Sequence, residues 1–155
     1  PADERNVQFA DADVAMGDMN GDGLVDLVRV KGEAVRYWPG RGDGTWGRVP
    51  GPGCGAPAGE LGYVTMAGAP VLAPNLVGGP RLADANGDGF DDLVEITPTE
   101  VRVHVNLQGE GFYREPFTFA VPGVGGSSEN HVRVLDVDGS GTLDILWGTA
   151  RDGYR

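Results

Sequence analysis

Carboxylate and amide side chains recur in this chain at one fixed spacing. The stretches Asp18-Met19-Asn20-Gly21-Asp22-Gly23-Leu24-Val25-Asp26, Asp84-Ala85-Asn86-Gly87-Asp88-Gly89-Phe90-Asp91-Asp92 and Asp136-Val137-Asp138-Gly139-Ser140-Gly141-Thr142-Leu143-Asp144 align residue for residue. Positions 1, 3, 5 and 9 carry side-chain oxygen: Asp18, Asn20, Asp22 and Asp26; Asp84, Asn86, Asp88 and Asp92; Asp136, Asp138, Ser140 and Asp144. With the main-chain carbonyl of position 7 (Leu24, Phe90, Thr142), each stretch offers hard oxygen ligands approaching the roughly six to eight that Ca2+ takes. Glycine at position 6 permits the sharp turn that folds them inward. One copy alone reads equally well as a surface turn. Three in register point to as many as three Ca2+ sites.

An EF-hand shares the opening of this pattern but closes with a bidentate Glu at position 12 and needs a helix on either side. Position 12 here is Arg29, Glu95 and Trp147, so only the second copy has the carboxylate. The segments that follow, Leu27 to Val30, Leu93 to Ile96 and Ile145 to Trp147, are short and apolar, with β-branched residues in each. They predict strands. Asp26, Asp92 and Asp144 are then the closing ligands, placed where the chain enters a strand.

The elements needed to position such loops recur as well. Asp18, Asp84 and Asp136 are 66 and 52 residues apart, longer than the ~33 to 47 residues of helical solenoids and in the range of propeller blades. Each unit runs an apolar segment into the loop (Val14 to Met16, Pro80 to Ala83, Val132 to Leu135), then the loop, then the strand just named. An alternating strand follows (Ala34 to Trp38, Val101 to Val105), then a glycine turn and a fourth segment (Thr45 to Val49, Phe112 to Phe119). Four short antiparallel strands per unit describe a blade. The expected fold is all-β: a partial β-propeller of about three four-stranded blades with Ca2+-binding loops. Its single domain, 1–155, divides into blades at roughly 9–50, 78–121 and 130–155, the last incomplete. A Gly/Pro-rich insertion at about 50–63 reads as a surface excursion.

Glycine is extreme, with 27 residues and 11 prolines beside it, but 40% of the chain is hydrophobic and the glycines punctuate recurring apolar runs, which argues for turns rather than disorder. The net charge of −11 disfavours a phosphate backbone as partner, and nine of the acids are proposed ligands. Three bound Ca2+ ions would roughly halve that charge. Cys54 is the only cysteine, so no intramolecular disulfide is possible. Millimolar calcium, which loops of this kind require, points to a secreted or extracellular setting. No apolar run nears the ~20 residues of a membrane span. Beginning in mid-pattern and stopping soon after a strand, the chain reads as a piece of a longer protein.

The loop pattern followed by an apolar strand resembles the FG-GAP/VCBS repeat of integrin-type propellers. More narrowly, Gly21 to Arg29, Tyr37-Trp38-Pro39-Gly40, Gly44-Thr45-Trp46-Gly47 and Leu82 to Gly89 are similar to the propeller region of toxin-complex B components, the TcB/SpvB type related to Rhs and YD-repeat proteins. That family usually has Asn where this chain has Gly40. The resemblance implies a non-enzymatic propeller that docks onto a pore-forming or shell partner of a toxin complex. Further blades of the same chain are the other candidate neighbours.

Other residues have plainer roles. Trp38, Trp46 and Trp147 belong to blade-to-blade packing. His104 and His131 lack companions at transition-metal spacing. Arg41-Gly42-Asp43 arises readily by chance in a chain this rich in Arg, Gly and Asp. Asp11 and Asp13 decorate the turn before the first blade, and Ser127 and Ser128 lack a nucleophile elbow. The expected function is a calcium-stabilised scaffold mediating protein–protein interaction, without catalysis. Glycan binding or adhesion, and an accessory role in a secreted enzyme, are the alternatives.

Overall fold

With glycine or proline every few residues, the chain can build only short extended segments, and it does so throughout. The computed structural model describes residues 7, 10–48, 62–76, 78–120, 131–149 and 153–154. Among them there is no helix. The strands are β1 (Val14–Gly17), β2 (Asp26–Lys31), β3 (Ala34–Trp38), β4 (Val64–Met66), β5 (Arg81–Ala83), β6 (Asp92–Ile96), β7 (Glu100–His104), β8 (Phe117–Ala120), β9 (His131–Leu135), β10 (Asp144–Thr149) and β11 (Gly153–Tyr154). They form three antiparallel meanders, β1-β2-β3-β4, β5-β6-β7-β8 and β9-β10-β11. The all-β fold built of partial propeller blades is as expected.

One expectation about strand placement is corrected. Of the expected fourth strand, Thr45 to Val49, the described residues Thr45 to Arg48 form none; Trp46 and Arg48 make only isolated bridges, to Gly40 and Gly62. The fourth strand is β4, paired with β3 through Val35 and Met66. It lies beyond the Gly/Pro-rich stretch, so that stretch interrupts the first blade between its third and fourth strands. In the second sheet the fourth strand starts at Phe117, and Phe112 bridges Asn106. Residues 50–61, with Cys54, and Ser127 and Ser128 lie outside the described residues.

Period-two alternation gives each blade two faces, and successive blades stack face to face. Val28, Val30, Val35, Tyr37 and Met66 of the first sheet meet Leu93, Phe112 and Leu82 of the second. The opposite face of the second sheet, Val94, Ile96, Val101 and Val103, packs on Val134, Leu143 and Ile145 of the third. At roughly 1.5 to 3 kcal/mol per fully buried large apolar side chain, these two interfaces supply most of the apolar drive to fold. Strand β6 contributes to both interfaces, Leu93 to the first and Val94 and Ile96 to the second, which is why Asp92 to Ile96 is buried at every residue.

The outer strand β8 departs from this pattern. Phe117 and Phe119 point the same way as Val103 and Val101, with which they pair, yet each is 57% exposed. Met66, at the corresponding place in the first blade, is 3% exposed because Phe112 of the next blade covers it. This chain should therefore self-associate through β8. Replacing both Phe117 and Phe119 by Ser should raise the dissociation constant at least about tenfold, given the transfer energy of two such rings. Sedimentation of the unsubstituted chain as a monomer at high concentration would refute this.

Candidate metal centre

The nine-residue stretches fold into three loops of one construction, each linking the first two strands of its sheet. Glycines at positions 4 and 6 take positive φ, 73° and 80° at Gly21 and Gly23, 78° and 89° at Gly87 and Gly89, and 74° and 82° at Gly139 and Gly141. A side chain there would strain the turn. Left-handed glycines aim successive amides inward, and the position 1 carboxylate collects them. Asp18 accepts from the N–H groups of Gly21, Asp22 and Gly23 at 2.7, 3.2 and 2.7 Å. Asp84 does the same with Gly87, Asp88 and Gly89 at 2.7, 3.2 and 2.8 Å. Asp136 repeats it with Gly139, Ser140 and Gly141 at 2.8, 3.1 and 2.9 Å.

Positions 3 and 5 form successive side-chain turns. Asn20, Asn86 and Asp138 each accept from the amide two residues on, at 3.0, 2.9 and 2.9 Å. Asp22, Asp88 and Ser140 accept from Leu24, Phe90 and Thr142 at 2.8, 3.0 and 3.4 Å. Position 9 closes the loop from the strand side: Asp26, Asp92 and Asp144 accept from the amides of Met19, Ala85 and Val137 at 3.0, 3.2 and 2.9 Å. The other oxygens of Asp26 and Asp92 accept from Gly40 and Asn106 at 2.7 and 2.8 Å.

Asp136, Asp138 and Asp144 bring one ligand oxygen each to within 4.8 Å of one another, close enough to share a cation. Among the described residues, the carboxylates of the first two loops are not gathered so tightly. The difference follows from placement. Their third carboxylate is at position 5, turned onto the position 7 amide, whereas the third loop has it at position 3. In the first two loops position 3 is an amide oxygen, neutral but still a hard ligand. The donor set of all three, oxygen only and mostly anionic, fits Ca2+ and would be held by positions 1, 3, 5 and 9.

Burial sets the electrostatics. Asp26 and Asp92 are fully buried, and loss of solvent raises both carboxyl pKa values against their backbone hydrogen bonds, Asp92 to about 6 from 3.8. Burial likewise raises Asp91. Asp138 moves the other way, lowered by its hydrogen bonds from Ser140. A carboxyl raised on folding binds more protons in the native state between about 3.8 and 6, so its contribution is greatest in acid and is lost as pH rises through 6. In chelator the protein should therefore be more stable near pH 5 than near pH 7.5, as judged by urea midpoints. Calcium, which needs the ionised carboxylate, should reverse the trend. A chelated protein that weakens toward pH 5 would contradict this.

Several residues have roles that local sequence did not reveal. Asp13 bonds the Nε of Arg29 at 2.9 Å across the first two strands, rather than merely decorating a turn. Glu95, at position 12 of the second stretch, faces away from the loop and bonds His104 at 2.6 Å and the amide of Ala73 at 2.8 Å. Trp38 packs on Tyr63 with ring centroids 5.4 Å apart. The indole N–H of Trp46 is taken up by Val25 O at 2.9 Å. The side chains of His131 and Trp147 lie outside the described set. No described helix is long and apolar enough to cross a membrane.

Comparison with known proteins agrees with this construction. Residues 79–147 match the family model of the FG-GAP-like repeat. A search of curated protein sequences finds no match. Among solved structures, TcdB2-TccC3 without its hypervariable C-terminal region aligns with 96% of this chain at 25% identity and a TM-score of 0.70. TcdB2-TccC3-Cdc42 aligns with 94% at 25% identity and 0.69. A Photorhabdus luminescens Tc holotoxin pore shares the fold at 23% identity and 0.68 over 96% of the chain. This chain spans only 6 to 7% of those chains. Residues 79–147 thus match the FG-GAP-like repeat, and the all-β fold nearly throughout is similar to that of a segment of TcdB2-TccC3.

Proposed function

We propose that this chain is a calcium-stabilised propeller scaffold that mediates protein–protein contact in a secreted toxin-complex B-type protein, and that it catalyses no reaction. The observation that carries it is the threefold repetition of one oxygen-lined loop at equivalent places on stacked blades, its third copy gathering Asp136, Asp138 and Asp144 within 4.8 Å. The likeness to TcdB2-TccC3 over nearly the whole chain supports that setting. Among the described residues, His104 is committed to structure through Glu95. Loops supply cation sites on one edge while blade faces supply contact area, a division suited to docking. A pore-forming or shell component of such a complex, or further blades, would take those faces.

Calorimetric titration with calcium tests the metal half of this function. Up to three ions should bind, and Asp84→Ala should remove one of them. Absence of binding at millimolar calcium would overturn the proposal. In the parent assembly, amides of the blade faces should gain protection from hydrogen exchange relative to the free chain; unchanged protection would overturn the contact role.

A further inference from the structure

The first loop is not self-contained. Its backbone is gripped by the second blade at three points. The carboxylate of Asp91 accepts the N–H of Asp18 at 2.8 Å, while the N–H of Asp91 donates to the carbonyl of Asp18 at 2.7 Å. Alongside, the side-chain amide of Asn106 donates to the carbonyl of Met19 at 2.8 Å and to that of Asp91 at 3.0 Å. Asn106 is 2% exposed, and its oxygen is fixed by the amide of Gly109 at 2.8 Å. Space is tight throughout this junction. A Cβ on Gly17 would lie 2.4 Å from the Asp91 carboxylate, and one on Gly21 would lie 2.7 Å from the ring of Phe90.

Among the described residues, the second loop has no such grip from the third blade. Leu143 occupies the position 8 place that Asp91 holds, and an apolar side chain cannot accept an amide. Packing contact there includes the Thr142 methyl, 3.6 Å from where a Cβ on Gly87 would be. The first blade lacks the corresponding amide too, since Gly40 stands where Asn106 does and gives only its backbone N–H to Asp26.

We propose that Asp91 and Asn106 are positioning residues for the first cation loop, so that the affinity of this loop for Ca2+ is set from across the blade boundary. The inference rests on the calcium function proposed above. Asp18 contributes the position 1 carboxylate, and its direction is governed by the backbone atoms that Asp91 and Asn106 hold. A loop fixed before the ion arrives loses less freedom on binding, and affinity rises accordingly. By reciprocity, an ion in the first loop tightens the junction between the first two blades.

The test is a calcium titration of the intact chain followed by amide resonances of Gly21, Gly87 and Gly139, one in each loop. In Asp91→Ala and in Asn106→Ala, Gly21 should titrate at about tenfold higher calcium while Gly87 and Gly139 stay within about twofold. Asp91→Asn, which keeps an oxygen for the Asp18 amide but drops the charge, should titrate like the unsubstituted chain. It thereby separates positioning from electrostatic attraction. In chelator, the Asp18 amide should exchange faster in Asp91→Ala than in the unsubstituted chain. An unmoved Gly21, a uniform shift of all three glycines, or an Asp91→Asn as weak as Asp91→Ala would overturn the proposal. Failure of the calcium function itself looks different: none of the three glycines would respond to calcium even in the unsubstituted chain, and both claims would fall together.

Discussion

Chelation should lower the melting midpoint of this protein by roughly 10 °C relative to millimolar calcium. Nine carboxylates held in three loops repel one another when no cation is present, and Asp26 and Asp92 are buried besides. If each site has a Kd of about 0.1 mM, within the range for extracellular modules, then about 1 mM free calcium adds roughly 1.4 kcal/mol per site. Three independent sites give about 4 kcal/mol, a large share of the ~5 to 15 kcal/mol that separates a folded domain from its unfolded chain. For a chain of this length each kcal/mol moves the midpoint by about 2 to 4 °C. Magnesium should recover little of the loss, because it demands a smaller octahedral shell and gives up water reluctantly. Melting curves in calcium, magnesium and chelator decide the matter: one common midpoint would make the loops simple turns.

The loops were legible in the sequence because their chemistry is local. Nine consecutive residues carry the side-chain oxygens, the turn glycines and the start of the next strand, so spacing alone marked where each loop turns and where its strand begins. Strands β2, β3, β6 and β7 were legible for the same reason, as short runs of apolar or alternating residues bounded by turn residues such as glycine and proline. The fourth strand of the first blade was not. Its place depends on pairing with Val35 across the Gly/Pro-rich interruption, and no local signal tells Val64 to Met66 from Thr45 to Val49. The grip on the first loop was hidden too. Asp91 lies 73 residues from Asp18, and Asn106 lies 87 from Met19, so only the stacking of blades reveals what they hold. Asp91 was visible as an extra acid beside Asp92, but a second carboxylate in an acidic loop looks like one more solvated charge.

The same stacking gives Glu95 a role that its sequence position misrepresents, and its removal should be the most damaging single substitution considered. Glu95 is fully buried, one oxygen 2.6 Å from the Nε2 of His104 and the other accepting the Ala73 amide at 2.8 Å. Ala73 belongs to the segment joining the first two sheets, and neighbouring Leu72 packs on the core between them. One carboxylate thus ties strands β6 and β7 to the connection that sets how the blades stack. Glu95→Ala removes both hydrogen bonds, leaves His104 and the Ala73 N–H without this partner, and opens a cavity. Breaking a buried charged or polar pair from one side costs about 3 to 5 kcal/mol. Glu95→Gln keeps the volume and an oxygen for Ala73, so it should lose only about 1 to 2 kcal/mol. Urea unfolding at saturating calcium isolates this effect from the cation sites, since Glu95 contacts none of them. A Glu95→Ala protein within 1 kcal/mol of the unsubstituted chain would mean that the interblade connection is held by apolar packing alone.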